Sequence, residues 1–299
     1  MNIGAPKAVW IGTARVLRNW RLCVMFYVMN LLFAAVLALP FAAALMKDIS
    51  RSLAGSDLLR GFSYRWYVGF IHADGNYFDS IVPQVFLLFA LYLVMEAFLA
   101  GGFYAAYSSR SRTKGGSFFA ASASRFFPIF AVTIAEVALL FLLYRGDSFW
   151  AGGEADVARK ALTDYQVFHA AIWRYAVVAA IFLLVNIFSD FVKAAVSVDD
   201  DTFTSKLRRG FFFVVKHPLS SVGLYLIGTV LSWGIIASYF FIGMNSRAVD
   251  EAGVLVEITV GQIFVLLRIF SKLIFYAGEA VLYKESQIEV IKVKPEMLE

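Results

Sequence analysis

"LLRIFSKLIFYAGEA", residues 266–280, lies inside the apolar run Val256–Leu282, and its reading decides the fold. A run of this length crosses a bilayer as a helix, which takes about 20 residues at ~1.5 Å each. Yet this one holds Arg268, Lys272 and Glu279. Spacings of four, seven and eleven bring residues to within roughly 40° on a helix of about 3.6 residues per turn, so the three share one stripe. Charges facing lipid near the bilayer centre cost about 2.5–3.5 kcal/mol each or more, so the stripe turns inward or snorkels. Glu279, near the inner end, is expected to reach water.

Five further runs read the same way: Leu22–Met46, Ile81–Ala106, Pro128–Tyr144, Tyr175–Val192 and Leu219–Ile242. Composition agrees, because the 299 residues are 60% hydrophobic and only 16% charged, against about 25% charged in soluble domains. Lipid offers no water to backbone amides, so the spans are helices rather than strands. The expectation is an all-α polytopic membrane protein, a single six-span domain over residues 1–299. The first span follows a long basic leader and outruns a signal-peptide core, so cleavage is not expected. Cys23, the one cysteine, rules out an internal disulfide framework.

Orientation comes from the loops. With the N-terminus inside, segments 1–21, 107–127, 193–217 and 283–299 hold sixteen Lys and Arg, whereas 47–80, 145–174 and 243–255 hold nine. That bias puts both termini in the cytoplasm. Tyr64, Trp66, Tyr67, Tyr77, Phe149, Trp150 and Trp173 fall next to outer span ends, as an interfacial aromatic belt does. The outer stretches 47–80 and 145–174 have room for a helical turn or two.

On the inner side a basic, aromatic segment precedes alternate spans: "VWIGTARVLRNWRL", "SFFAASASRFFP" and "FTSKLRRGFFFVVKHP". Such amphipathic segments suit the headgroup boundary, with rings in the acyl region and cations toward anionic lipid. Arg18, Arg125, Lys206, Arg208, Arg209 and Lys216 are the candidate headgroup contacts, and Phe203, Leu207 and Phe211 the expected buried face of 203–216. The pattern also permits three units, 7–107, 117–197 and 203–284, that share architecture but little residue identity. Asp199, Asp200 and Asp201 precede the third such segment, where negative charge complements a helix N-terminus.

Depth assigns partners to the stripe. Counting from the inner end of each span, Lys272 lies about 15 Å deep, Arg268 about 21 Å, Glu96 about 15 Å and Glu136 about 12 Å. Asn30 and Asn186 lie at about 12 and 9 Å. These six residues form the candidate ligand or ion-pair cluster, with Arg268 or Lys272 answering Glu96 or Glu136. A buried network of this kind either fixes which helices are neighbours or lines a cavity for a polar or anionic ligand. No span carries a mid-membrane histidine, which argues against haem, copper or iron centres. Walker, HExxH and GxSxG motifs are absent from the sequence. No catalytic residue, metal or cofactor is called.

The stretches "RVLRNWRL", "FLAGGFYAAY" with "SFFAASASRFF", "DFVKAAVSVDDDTFTSKLRRGFFFVVKHPLSSVGLYL" and "VLLRIFSKLIFYAGEAVLY" cover about half the chain. On them the protein resembles a group of uncharacterised bacterial six-span inner-membrane proteins, similar in turn to the membrane domain attached to some glycerophosphodiester phosphodiesterases. The catalytic domain of those enzymes has no counterpart here. The resemblance therefore implies a fold and a bacterial inner-membrane location rather than a reaction. The expected function is a non-enzymatic module that binds membrane lipids or a partner membrane subunit, or pairs as a homo-oligomer, through its inner face; no nucleic-acid partner is expected. A transporter or exporter of a small polar or lipid-like substrate, working through the six-residue cluster, is the alternative. An intramembrane enzyme comes third, since Glu96 and Glu136 lack a recognisable nucleophile.

Overall fold

The computed structural model describes residues 4–49, 64–73, 75–160, 163–245 and 251–293. Among them there are nine helices and no strand. They are α1 (Ala5–Arg18), α2 (Trp20–Ile49), α3 (Tyr64–Ala73), α4 (Gly75–Ser108), α5 (Gly115–Lys160), α6 (Asp164–Val198), α7 (Phe203–Lys216), α8 (Pro218–Asn245) and α9 (Glu251–Val293). Six are long and apolar enough to cross a membrane, over Trp20–Lys47, Ile81–Ser108, Gly115–Asp147, Ala171–Val198, Pro218–Gly243 and Gly253–Gln287. The protein is an all-α membrane protein with six candidate spans.

Helix ends follow local chemistry. The break between α1 and α2 sits at Asn19, whose carbonyl accepts from the Leu22 amide. α6 stops where Asp199 turns extended. α7 stops at His217, because the following proline disfavours helical backbone in the residue before it. Pro218 then opens α8, where its missing N–H costs nothing.

The third span departs from expectation. Pro128 lies inside α5 rather than at its start, so "SFFAASASRFFP" is the first part of one continuous helix. Only the first and third amphipathic segments are separate helices. The segment 145–174, assigned to the outside from its sequence, is likewise mostly helical, since α5 runs to Lys160 and α6 begins at Asp164. Of the outer aromatics, Tyr64, Tyr67, Trp150 and Trp173 are exposed, while the side chains of Tyr77 and Phe149 lie outside the described ones.

The chain divides into two units: Met1–Arg15, Ala97–Ile227 and Phe275–Glu299 form the first, and Val16–Glu96 and Gly228–Ile274 the second. This division does not follow the three possible repeats. The first unit has a dense aromatic core that includes Phe103, Tyr104, Tyr107, Phe118, Phe191 and Tyr283, all essentially inaccessible. The second leaves most of its side chains exposed, among them Leu32, Phe86, Val230 and Leu255.

Both separate amphipathic helices dock in the first unit through a glycine. A Cβ on Gly12 of α1 would stand 2.9 Å from the Gly278 amide nitrogen on α9, and one on Gly210 of α7 would stand 2.6 Å from Val192 Cα on α6. Helix backbones approach this closely only where a side chain is missing.

Candidate functional site

The first unit holds a chain of buried polar contacts across five helices. Lys193 on α6 donates to Glu136 on α5 and, at 3.1 Å, to Asp190 one turn earlier. Tyr225 on α8 donates to the second oxygen of Asp190. Tyr104 on α4 donates to Glu279 on α9 at 2.7 Å. Lys193, Glu136 and Asp190 are each less than one-fifth exposed. Glu279 is wholly buried, which corrects the expectation that it reaches water. Glu136 pairs with Lys193, a cation outside the six candidates. Asn186 turns back to the Phe182 carbonyl of its own helix and bonds no other cluster candidate among the described residues.

A second set of contacts in this unit holds the helix ends. Arg15 of α1, buried, donates to the Tyr107 carbonyl and to Glu285 at 3.3 Å, and exposed Arg110 reaches the same carboxylate. Tyr283 donates to Asp199 at 2.6 Å, which ties α9 to the link between α6 and α7. Arg209 pairs with Asp201 and Asp199.

The second unit holds the other candidates. Lys272 donates to Glu96 and lies 5.6 Å from the centre of the Phe26 ring. This pair is partly open, with side chains 38% and 26% exposed. Asn30 accepts from Tyr92 at 3.2 Å and donates to the Phe26 carbonyl. Tyr27 donates to Gln262 at 2.8 Å. Arg268 has no hydrogen-bond or ion-pair partner among the described residues and is exposed. It lines a cavity of about 500 Å³ with apolar side chains of α8 and α9. The six cluster candidates therefore split between the units, and the pair they contain is Lys272 with Glu96.

The headgroup candidates also divide. Arg18, Arg208 and Lys216 are exposed and Arg125 is half-buried. Lys206 instead reaches the Val196 carbonyl near the end of α6, at 3.4 Å. The buried face of α7 is Gly210, Phe213 and Val214. Phe203 and Phe211 are exposed in the protein and Leu207 is half-buried. Gly210 makes the closest backbone approach to α6, and Phe211 stacks on Phe188 of that helix at 4.6 Å. A cavity of about 210 Å³ opens between α7 and α9, lined by Arg209, Phe212, Lys216, His217, Ser286 and Gln287 among others. Its cations, imidazole, hydroxyl and amide can all donate to an anion, and the adjoining ring offers apolar contact.

Reading the fourth span short hid Lys193, and Asp190, inside Tyr175–Val192, was therefore left without its partner. Ending the fourth at Val192 left Lys193 counted with a loop, although Asp190 and Lys193 stand three apart and so on one helix face. Tyr104 and Tyr225 gave no separate signal, since tyrosine near a span end reads equally as an interfacial ring. Comparison of the chain with protein-family models, curated proteins and solved structures returns no match.

Proposed function

We propose that this chain is a non-enzymatic module of a bacterial inner membrane, with both termini cytoplasmic, whose inner face binds anionic lipid headgroups. The observation that carries the reading is the basic cavity between α7 and α9, set beside an α7 surface that leaves Phe203, Phe211, Phe212 and Val215 exposed. Arg208 stands 5.5 Å from the centre of the Phe212 ring, on the same helix. Rings that enter the acyl region and cations that meet phosphates are the two contacts an interfacial helix makes. Each cation near an anionic surface contributes about 1 kcal/mol.

The test is thermal unfolding of the full chain in nanodiscs of phosphatidylcholine with and without phosphatidylglycerol. Phosphatidylglycerol should raise the Tm, and Lys216→Gln together with Arg208→Gln should remove most of that increase while leaving the Tm in phosphatidylcholine unchanged. An equal Tm for the unmodified protein in both lipids would reject the reading.

One observation favours a transporter as the second reading, namely the partial openness of Lys272 and Glu96. A water-filled path would make a cysteine at Asn30 reactive to an impermeant thiol reagent in intact vesicles, whereas a lipid-binding module leaves it protected.

A further inference from the structure

Among the described residues of the second unit, Arg268 is a cation deep within a candidate span that has no hydrogen-bond or ion-pair partner. Arg268 lies fifteen residues after Gly253 and nineteen before Gln287, the two ends of its span, or about 22 and 28 Å along the helix. It is exposed, and no described residue bonds it. The cavity it lines has Ile236, Tyr239 and Phe240 of α8 on one wall, and Gly261 and Val265 of α9 on the other. An added Cβ at Gly261 would meet nothing within 4 Å, so this wall is open. Intramembrane cations face a bundle interior or pair with an acid, and small residues are where helices in lipid approach one another.

We infer that the groove between α8 and α9 around Arg268 is the docking site for a transmembrane helix of a different membrane protein, one that carries an Asp or Glu at mid-bilayer depth. Depth selects this occupant. Lipid phosphates lie at the edges of a hydrocarbon core about 30 Å thick, about half that thickness from Arg268, whereas a carboxylate on a second spanning helix lies at its level. A parallel second copy of this chain would bring another Arg268 to the same depth. Of the acids described within the spans, Glu96 has Lys272, and Glu136 and Asp190 share Lys193. Glu279 is wholly buried against Tyr104, and Glu257 is engaged eleven residues away on α9. Apart from Gln262, which accepts from Tyr27, the surrounding wall is mostly apolar, as the flank of a spanning helix requires.

The probe is a leucine-rich transmembrane peptide with one central Glu, compared with the same peptide carrying Gln. Association with the full chain is read by energy transfer in phosphatidylcholine vesicles. The Glu peptide should associate about tenfold more tightly than the Gln peptide. Arg268→Leu should remove that preference without weakening the Gln peptide, and Arg268→Lys should retain most of it. Equal association of the two peptides with the unmodified protein would overturn the inference. So would a preference that survives Arg268→Leu. A photoreactive residue at Ile236, activated in cells, should cross-link to a protein helix whose Asp or Glu is needed for the adduct; adducts with lipid alone would overturn the helix as occupant. None of these outcomes depends on the headgroup cavity, so the two proposals fail separately.

Discussion

Lys193 pairs with two carboxylates, Glu136 from α5 and Asp190 from α6, with little access to water at any of the three. Removing one partner of a buried pair strands the other's charge, which costs about 3–5 kcal/mol. Lys193→Met should therefore lower unfolding stability by about that amount, and Glu136→Gln in the same background should recover part of the loss. Chemical denaturation in detergent provides the cycle; strictly additive losses would show that the contact contributes nothing to folding. At this scale the sequence was half legible. Matching depth and opposite charge drew attention to Glu96 and Lys272, which the structure joins. The same rule could not choose a partner for Glu136, because depth says nothing of which helices are neighbours, and the nearer cation had been placed outside a span.

Helix docking belongs to the next scale. The amphipathic character of α1 and α7 is plain in the spacing of their aromatic and basic residues, but the faces they present to the protein are set by Gly12 and Gly210. Hydrophobic spacing identifies an apolar stripe and cannot tell packed apolar surface from lipid-facing surface: Phe213 and Val214 pack inside, while Phe203 and Phe211 stay exposed. A side chain at Gly210 meets the Val192 backbone, which cannot move aside as a flexible side chain would. Gly210→Val should accordingly displace α7 from α6 and lower stability by about 1–3 kcal/mol, as overpacking does. The displacement should also make the peptide bonds after Arg208 and Arg209 trypsin-sensitive in reconstituted protein. Gly234→Val, where an added Cβ has nothing within 4 Å, serves as the control and should leave both properties unchanged. Equal sensitivity in the two variants would show that the close approach does not hold α7 in place.

Among the described residues there are six candidate spans, and an even number of crossings ends on the side where it began. The number of spans was legible because about 20 apolar residues are needed for each crossing and few charges are tolerated within it. Which side is the cytoplasm rests on the loops alone. Sixteen basic residues stand in segments assigned to the inside and nine in those assigned to the outside, and basic loops are retained in the cytoplasm. The prediction is made at two exposed positions, Ser111 between α4 and α5, and Tyr165 in the first turn of α6. In a Cys23→Ser background, which removes the only native thiol, Tyr165→Cys should react with an impermeant maleimide added to intact cells. Ser111→Cys should react only after lysis. The reverse pattern would invert the protein and place α7, with its cations and the cavity beside α9, at the outer leaflet. Because the headgroup reading depends on a cytoplasmic anionic surface, that single result would remove its electrostatic basis. The intramembrane groove at Arg268 would be unaffected, since a carboxylate at mid-depth is reached equally from either side.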